Sequence, residues 1–128
     1  MRVLIDTNIF VWFIAGSDRL NHQAINIMTD MNNELVLSVA SLWEIAIKSS
    51  LGKLELLRPF DQLIPEQLEL HEVDILQIEL PHLLRIISLP FHHRDPFDRL
   101  IIAQSITENL PIITSDNAFQ QYPVQLIM

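Results

Sequence analysis

The 128-residue chain contains no cysteine. That absence removes disulfide scaffolds, thiolate nucleophiles, zinc fingers and iron–sulfur clusters, and leaves oxygen and imidazole as the groups able to hold a metal. With only 2 glycines, the chain shows no flexible linker, low-complexity tract or internal repeat. No apolar run approaches the ~18 uncharged residues a membrane-spanning helix requires. The N-terminus passes from Met1 and Arg2 straight into Val3-Leu4-Ile5-Asp6 without the pattern of a signal peptide, so a soluble, cytoplasmic protein with no membrane partner is expected. Basic residues are scarce: 8 Lys and Arg stand against 16 Asp and Glu, a net charge of -8. Such a chain repels nucleic acid at long range and is not a nonspecific DNA-coating protein. A metal-dependent nuclease remains compatible with it, because bound cations screen a local acidic site.

What is abundant is hydrophobic content, 49% of residues, enough for one domain over residues 1–128 to bury a sizeable core. A mean hydropathy of +0.26 also hints at an apolar partner surface. Short β-branched or apolar runs alternate with segments of helical period, the signature of a mainly parallel sheet covered by helices. Strands are expected at 2–5, 35–38, 70–74, 111–114 and 124–127. Helices are expected at 7–15, 20–31, from a Ser41 N-cap to Leu51, near 61–69, between Pro81 and Pro90, and from Pro96 to a C-cap at Asn109. A short helical turn starts at Asn117. The helix over 7–15 is apolar nearly all round, and Phe10, Trp12 and Phe13, with the stripe over 20–31, are candidates for a partner groove and a homodimer face.

In open α/β sheets, ligands bind beyond the carboxyl ends of the strands. This chain places four carboxylates there. Asp6 follows the first strand, Asp116 lies two residues beyond Thr114, Glu44 opens the helix after the second strand, and Asp98 lies in the first turn of the Pro96 helix. Taken singly, each has a local explanation: Asp6 as a helix cap, Glu44 as the capping-box partner of Ser41, Asp95 and Asp98 as complements to a helix dipole, Asp116 as an Asx turn. Four on one edge are harder to explain by capping. Hard oxygen ligands favour Mg²⁺ or Mn²⁺, and hydrated ions so held clamp phosphoryl oxygens and deprotonate water.

Asp6-Thr7-Asn8 after an N-terminal strand, Glu44 in the third helix, the stretch Asp95-Pro96-Phe97-Asp98-Arg99-Leu100-Ile101-Ile102-Ala103-Gln104, and Thr114-Ser115-Asp116 together resemble a PIN domain. The run from His92 to Arg99 is similar to that of VapC-type toxins of bacterial toxin–antitoxin pairs. The likeness spans nearly the whole chain. It implies a three-layer α/β/α fold with about five strands and a Mg²⁺- or Mn²⁺-dependent ribonuclease that cuts single-stranded RNA. It further implies a homodimer inhibited by a cognate antitoxin. Matched position by position, Asp6, Glu44, Asp98 and Asp116 take the metal-site places, and Thr7, Asn8 and Ser115 the polar places beside them. Asp95 is assigned to orienting Arg99 or water. Some relatives carry a further acidic residue after the Asp116 position, where this chain has only the neutral Asn117, Gln120 and Gln121.

Around the site, His92, His93, Arg94 and Arg99 are candidates for phosphate contact, with ordinary loop and ion-pair roles as the alternatives. Lys48 is spaced to pair with Glu44. Trp12 and Trp43 could stack on bases, though packing is the commoner use of such residues. Two other functions are compatible with these residues. One is a haloacid-dehalogenase-like phosphatase with Asp6 as nucleophile, weakened because Asn8 stands where such an enzyme needs a second acid. The other is a catalytically silent PIN-like module that only binds a protein.

Overall fold

The computed structural model describes all of residues 1–128. Five strands, β1 (Arg2–Ile5), β2 (Glu34–Ser38), β3 (Asp74–Leu76), β4 (Ile112–Ile113) and β5 (Leu126–Ile127), form one sheet in the order β3-β2-β1-β4-β5. Every pairing is parallel. The helices are α1 (Thr7–Ala15), α2 (His22–Thr29), α3 (Val39–Ser50), α4 (Phe60–Leu70), α5 (Leu80–Ser88) and α6 (Pro96–Glu108), with a 3-10 helix over Asn117–Gln121.

Two cores follow from the period of two along each strand. Val3, Ile5, Leu35, Leu37 and Ile113 face one side, where Ile9 and Phe10 of α1, Met28 of α2, Ile45 of α3 and Ile64 of α4 cover them. Leu4, Val36 and Ile112 face the other, against Ile101 and Ile102 of α6, with Leu89, Phe119 and Tyr122. The result is the three-layer α/β/α sandwich expected. Val3, Leu4 and Ile5 are completely buried, so β1 is covered on both faces, which is why it reads as an unbroken apolar run.

Several local expectations are corrected. The third helix is capped by Ser38, whose Oγ accepts the Ala40 N–H at 3.1 Å, and it starts at Val39 with no intervening loop. Ser41 is instead buried inside it, and Glu44 sits in the second turn rather than in a capping box. The third strand lies at 74–76 and not 70–74, because α4 continues through Leu70 before Glu72 turns the chain at φ 51°. The apolar surface is also elsewhere than expected. Phe10 is fully buried, and Trp12 and Phe13 are half-buried against the same core, so α1 serves the interior. Of the second helical stripe, Leu20, Ala24 and Met28 are buried. Met31 of that stripe is exposed, and five further exposed large apolar side chains lie together on α5 and the turn after it: Leu80, Leu83, Leu84, Ile87 and Phe91.

The winding decides where a site can form. From β1 the chain builds outward through β2 and β3, then crosses to the other side of β1 to lay down β4 and β5. Connections therefore diverge between β1 and β4, and a crevice opens at the carboxyl ends of these two strands.

Candidate active site

Asp6 is the first residue beyond β1. The register pairs Ile5 with Ile113, so the next pair along is Asp6 with Thr114, and Thr114 Oγ1 donates to Asp6 Oδ2 at 2.7 Å. The other oxygen, Oδ1, accepts the Thr7 N–H at 2.8 Å and caps α1. Thr114 Oγ1 also accepts the Asp116 N–H at 3.0 Å, and Asp116 Oδ1 accepts the Ala118 N–H at 2.9 Å, capping the 3-10 helix. Capping and site formation are thus the same device: the caps hold the acids at the sheet edge.

Glu44 comes from α3, which is tied to α1 by Thr7 Oγ1 donating to the buried Ser41 Oγ at 2.8 Å. Its Oε2 takes the Lys48 ammonium at 2.7 Å one turn on, while Oε1 is buried with no hydrogen-bond partner. Asp98 comes from α6, whose first turn is held by Asp95: Asp95 Oδ1 accepts the N–H groups of Phe97 at 2.9 Å and Asp98 at 3.0 Å. The α3–α6 seam is closed by Trp43 and Phe97 meeting edge to face, centroids 5.3 Å apart.

The four acids lie near enough to one another for their charges to interact. Burial pushes the Asp6 carboxyl up to about 6 against the lowering effect of its Thr114 and Thr7 bonds, and Asp116 and Glu44 raise it further by repulsion. Burial pushes Asp98 up to about 8, with Asp6, Asp95, Asp116 and Glu44 all adding repulsion. Both shifts follow from like charges sharing a poorly solvated space. Lys48 is the only Lys or Arg within 4.0 Å of these carboxylates, and its bond to Glu44 raises its own pKa. One bound cation against four acids, with a buried carboxylate oxygen left unpaired, is a donor set that fits a hard divalent ion.

Thr114 is the residue here whose role the sequence reading missed, since nothing local says that a strand-end threonine faces Asp6. Thr114→Val keeps the shape and deletes the hydroxyl, leaving Asp6 Oδ2 and the Asp116 N–H without their partner. The expected result is a loss of about 1–3 kcal/mol of stability and an Asp6 midpoint above its wild-type value. Thermal melts and a carbon-detected titration of the Asp6 carboxyl check both.

The remaining candidates separate into two groups. Asn8, His92, Arg94 and Ser115 are exposed. Arg99 is turned inward: it is 5% exposed, its Nη1 donates to Pro90 O at 2.8 Å, its Nη2 donates to Leu89 O at 3.1 Å and Ile86 O at 3.4 Å, and its Cζ lies 4.0 Å over the Phe91 ring. It holds the α5–α6 connection through three backbone carbonyls. Asp95 accordingly does not orient Arg99. Trp43 is 59% exposed at the seam, so it does not pack in the core.

A second constellation, Glu79, His82 and Glu108, brings its ligand atoms together between α5 and α6. There His82 Nδ1 accepts the Glu79 N–H at 3.0 Å, so the ring hydrogen is on Nε2, which faces Glu108 Oε1 at 3.5 Å. Both ring nitrogens are engaged, and the group is a helix cap rather than a cation site.

The family model described as PIN domain matches residues 3–125. No curated protein matches the chain. Among solved structures, the chain is similar to VapBC2 from Rickettsia felis, bound to a DNA fragment from its promoter, with 19% identity, coverage of 99% of this chain and 98% of that one, and a TM-score of 0.74. VapBC-1 from nontypeable Haemophilus influenzae gives 21% identity, 99% and 97% coverage and a TM-score of 0.70. FitAcB from Neisseria gonorrhoeae gives 19%, 100% and 97%, and 0.66. These likenesses show the fold.

Proposed function

The chain belongs to the PIN domain family, and from that premise we propose that it is a Mg²⁺- or Mn²⁺-dependent endoribonuclease acting on single-stranded RNA, the toxin half of a toxin–antitoxin pair. The observation that carries the proposal is the pair Asp6 and Asp98 at the carboxyl edge of the sheet, pushed up to about 6 and about 8, with Glu44 and Asp116 near enough to add repulsion to both. Asp6, Glu44, Asp98 and Asp116 are the residues that would hold the cation. A divalent ion bound there offsets phosphate charge and lowers the pKa of a bound water.

The chain's own groups supply the rest. Thr114 and Thr7 fix both oxygens of Asp6, so that carboxylate is preorganised rather than mobile. The Lys48 ammonium holds Glu44 Oε2 at 2.7 Å. Arg94 and His92, exposed on the loop before α6, are free to meet phosphates, and Asn8 and Ser115 offer neutral hydrogen bonds at the same edge. Few cations are available for steering, so binding rests on short-range contacts and on the ion.

The uncovered apolar ridge of Leu83, Leu84, Ile87 and Phe91 supports a protein partner. We assign it to the homodimer and cognate antitoxin proposed here. No helix is long and apolar enough to cross a membrane, and the cytoplasm is the proposed location.

The test is a panel of single-stranded RNAs incubated with the purified chain, free of any partner. Cleavage is expected with Mg²⁺ or Mn²⁺ and is lost on chelation. If the protein binds Mn²⁺ and cuts none of the panel, the nuclease reading gives way to a protein-binding module.

A further inference from the structure

Tyr122, in the segment leading to β5, is far in sequence from every acid of the site except Asp116. It is 4% exposed. Its hydroxyl lies 3.3 Å from the His93 backbone nitrogen and 2.7 Å from His93 Nδ1. A backbone N–H only donates, so the hydroxyl oxygen accepts there. The arrangement that gives every polar group a role directs the hydroxyl hydrogen to a bare Nδ1. The imidazole hydrogen is therefore on Nε2. That nitrogen is buried and makes no hydrogen bond, and Asp98 Oδ2 lies 3.4 Å from it, near enough for an electrostatic contact. It is the only Lys, Arg or His nitrogen within 4.0 Å of the Asp98 carboxylate. The Tyr122 ring is itself held edge-on by His92 at 4.9 Å and His93 at 5.4 Å.

We propose that Tyr122 and His93 are positioning residues for Asp98: the Tyr122 hydroxyl sets the His93 tautomer, and His93 Nε2–H restrains Asp98 Oδ2 toward the other three acids. This rests on the reading of Asp6, Glu44, Asp98 and Asp116 as a divalent-cation site. The physical need is plain. A short carboxylate repelled by its neighbours lowers its energy by rotating toward water, and a fixed N–H 3.4 Å from one of its oxygens opposes that rotation. Partners that orient metal-ligating side chains typically contribute 10–100-fold to metal affinity.

The experiment is calorimetric titration of Mn²⁺ into the metal-free full chain, for wild type, Tyr122→Phe, His93→Ala and the double variant. Tyr122→Phe keeps the buried ring but removes the partner of two His93 nitrogens, so its metal-free melting temperature is expected to fall modestly, as that of Thr114→Val does, with the fold retained. Its Mn²⁺ affinity is expected to fall about 10-fold, His93→Ala at least as much, and the double variant no further than His93→Ala, because the tyrosine acts through the histidine. Long-range proton–nitrogen spectra of the wild-type imidazole are expected to show the hydrogen on Nε2, and this readout needs no variant. Tyr122→Phe binding within about two-fold of wild type overturns the proposal while leaving the cation site standing. A hydrogen on Nδ1 in the wild type does the same. Wild-type protein that binds no Mn²⁺ overturns the cation site and, with it, this role.

Discussion

Asp98→Asn is expected to abolish RNA cleavage and, at the same time, to raise the melting temperature of the metal-free protein at neutral pH. The two effects share one cause. The amide preserves the shape of Asp98 but cannot carry the charge that a divalent ion requires, so the proposed activity disappears. The same missing charge relieves the folded state. Asp98 stands near 8 and Asp6 near 6, both above the ordinary 3.8, so each folded-state acid holds its proton more tightly than in the unfolded chain. The stability each contributes is complete below about pH 4 and is lost as pH climbs, for Asp6 through about 6 and for Asp98 through about 8. One pKa unit corresponds to ~1.4 kcal/mol, so the Asp6 shift alone is worth on the order of 3 kcal/mol. Because the acids are coupled, a single substitution recovers part of the total, roughly 1–3 kcal/mol or ~5–10 °C in a domain of this size. Added Mn²⁺ is expected to stabilise wild type strongly and Asp98→Asn weakly, since a ligand of the folded state acts by mass action. The same pKa values imply that Mn²⁺ binding near pH 7 releases protons, and that the release declines above about pH 8. Melts across pH with chelator or Mn²⁺, together with calorimetry in buffers of different ionisation enthalpy, check all of this. An Asn variant that melts below wild type without metal and responds to Mn²⁺ as wild type does would show that these acids are only helix caps.

Arg99→Ala is expected to lower the melting temperature by ~10 °C or more at any Mn²⁺ concentration. The guanidinium is buried, and its planar fork meets the carbonyls of Ile86, Leu89 and Pro90 while lying over Phe91. Truncation leaves those acceptors without their donor and opens a cavity under the α5–α6 connection, about 3–5 kcal/mol in combination. Arg99→Lys is expected to rescue little, because one ammonium cannot span three carbonyls on one plane. A phosphate contact would behave in the opposite way, with unchanged melting and a raised KM for RNA. Melting curves therefore separate the two roles before any activity is measured.

The likeness between Arg99 and a substrate contact in the sequence shows where one-dimensional reading stops. In the run His92-His93-Arg94-Asp95, followed three residues later by Asp98 and then Arg99, all the charged groups look equally available. The helix beginning at Pro96 then carries Asp98 toward the sheet edge and Arg99 toward α5, because neighbours in a helix point about 100° apart. His93 turns inward to Tyr122, while Arg94 stays in solvent. Serine capping is similar: Ser38 and Ser41 both suit the position, and only the direct exit from β2 and the Thr7–Ser41 bond select Ser38.

The sequence by itself determined what local chemistry dictates. The unbroken apolar runs specify buried parallel strands, Asp95-Pro96 starts a helix that Asn109 ends in the left-handed conformation, and acids follow the strands because caps are needed there. Placing Asp6, Glu44, Asp98 and Asp116 at one edge was legible for the same reason, since βα connections of a parallel sheet all leave from that edge. The tertiary structure alone decided which oxygen meets which donor. The pairing of Thr114 with Asp6 depends on β4 lying beside β1, 108 residues away in the chain. The inward turn of Arg99 depends on α5 packing against α6, and the partner of His93 is a tyrosine 29 residues downstream. Such contacts depend on strand order and helix packing, which local sequence patterns do not encode.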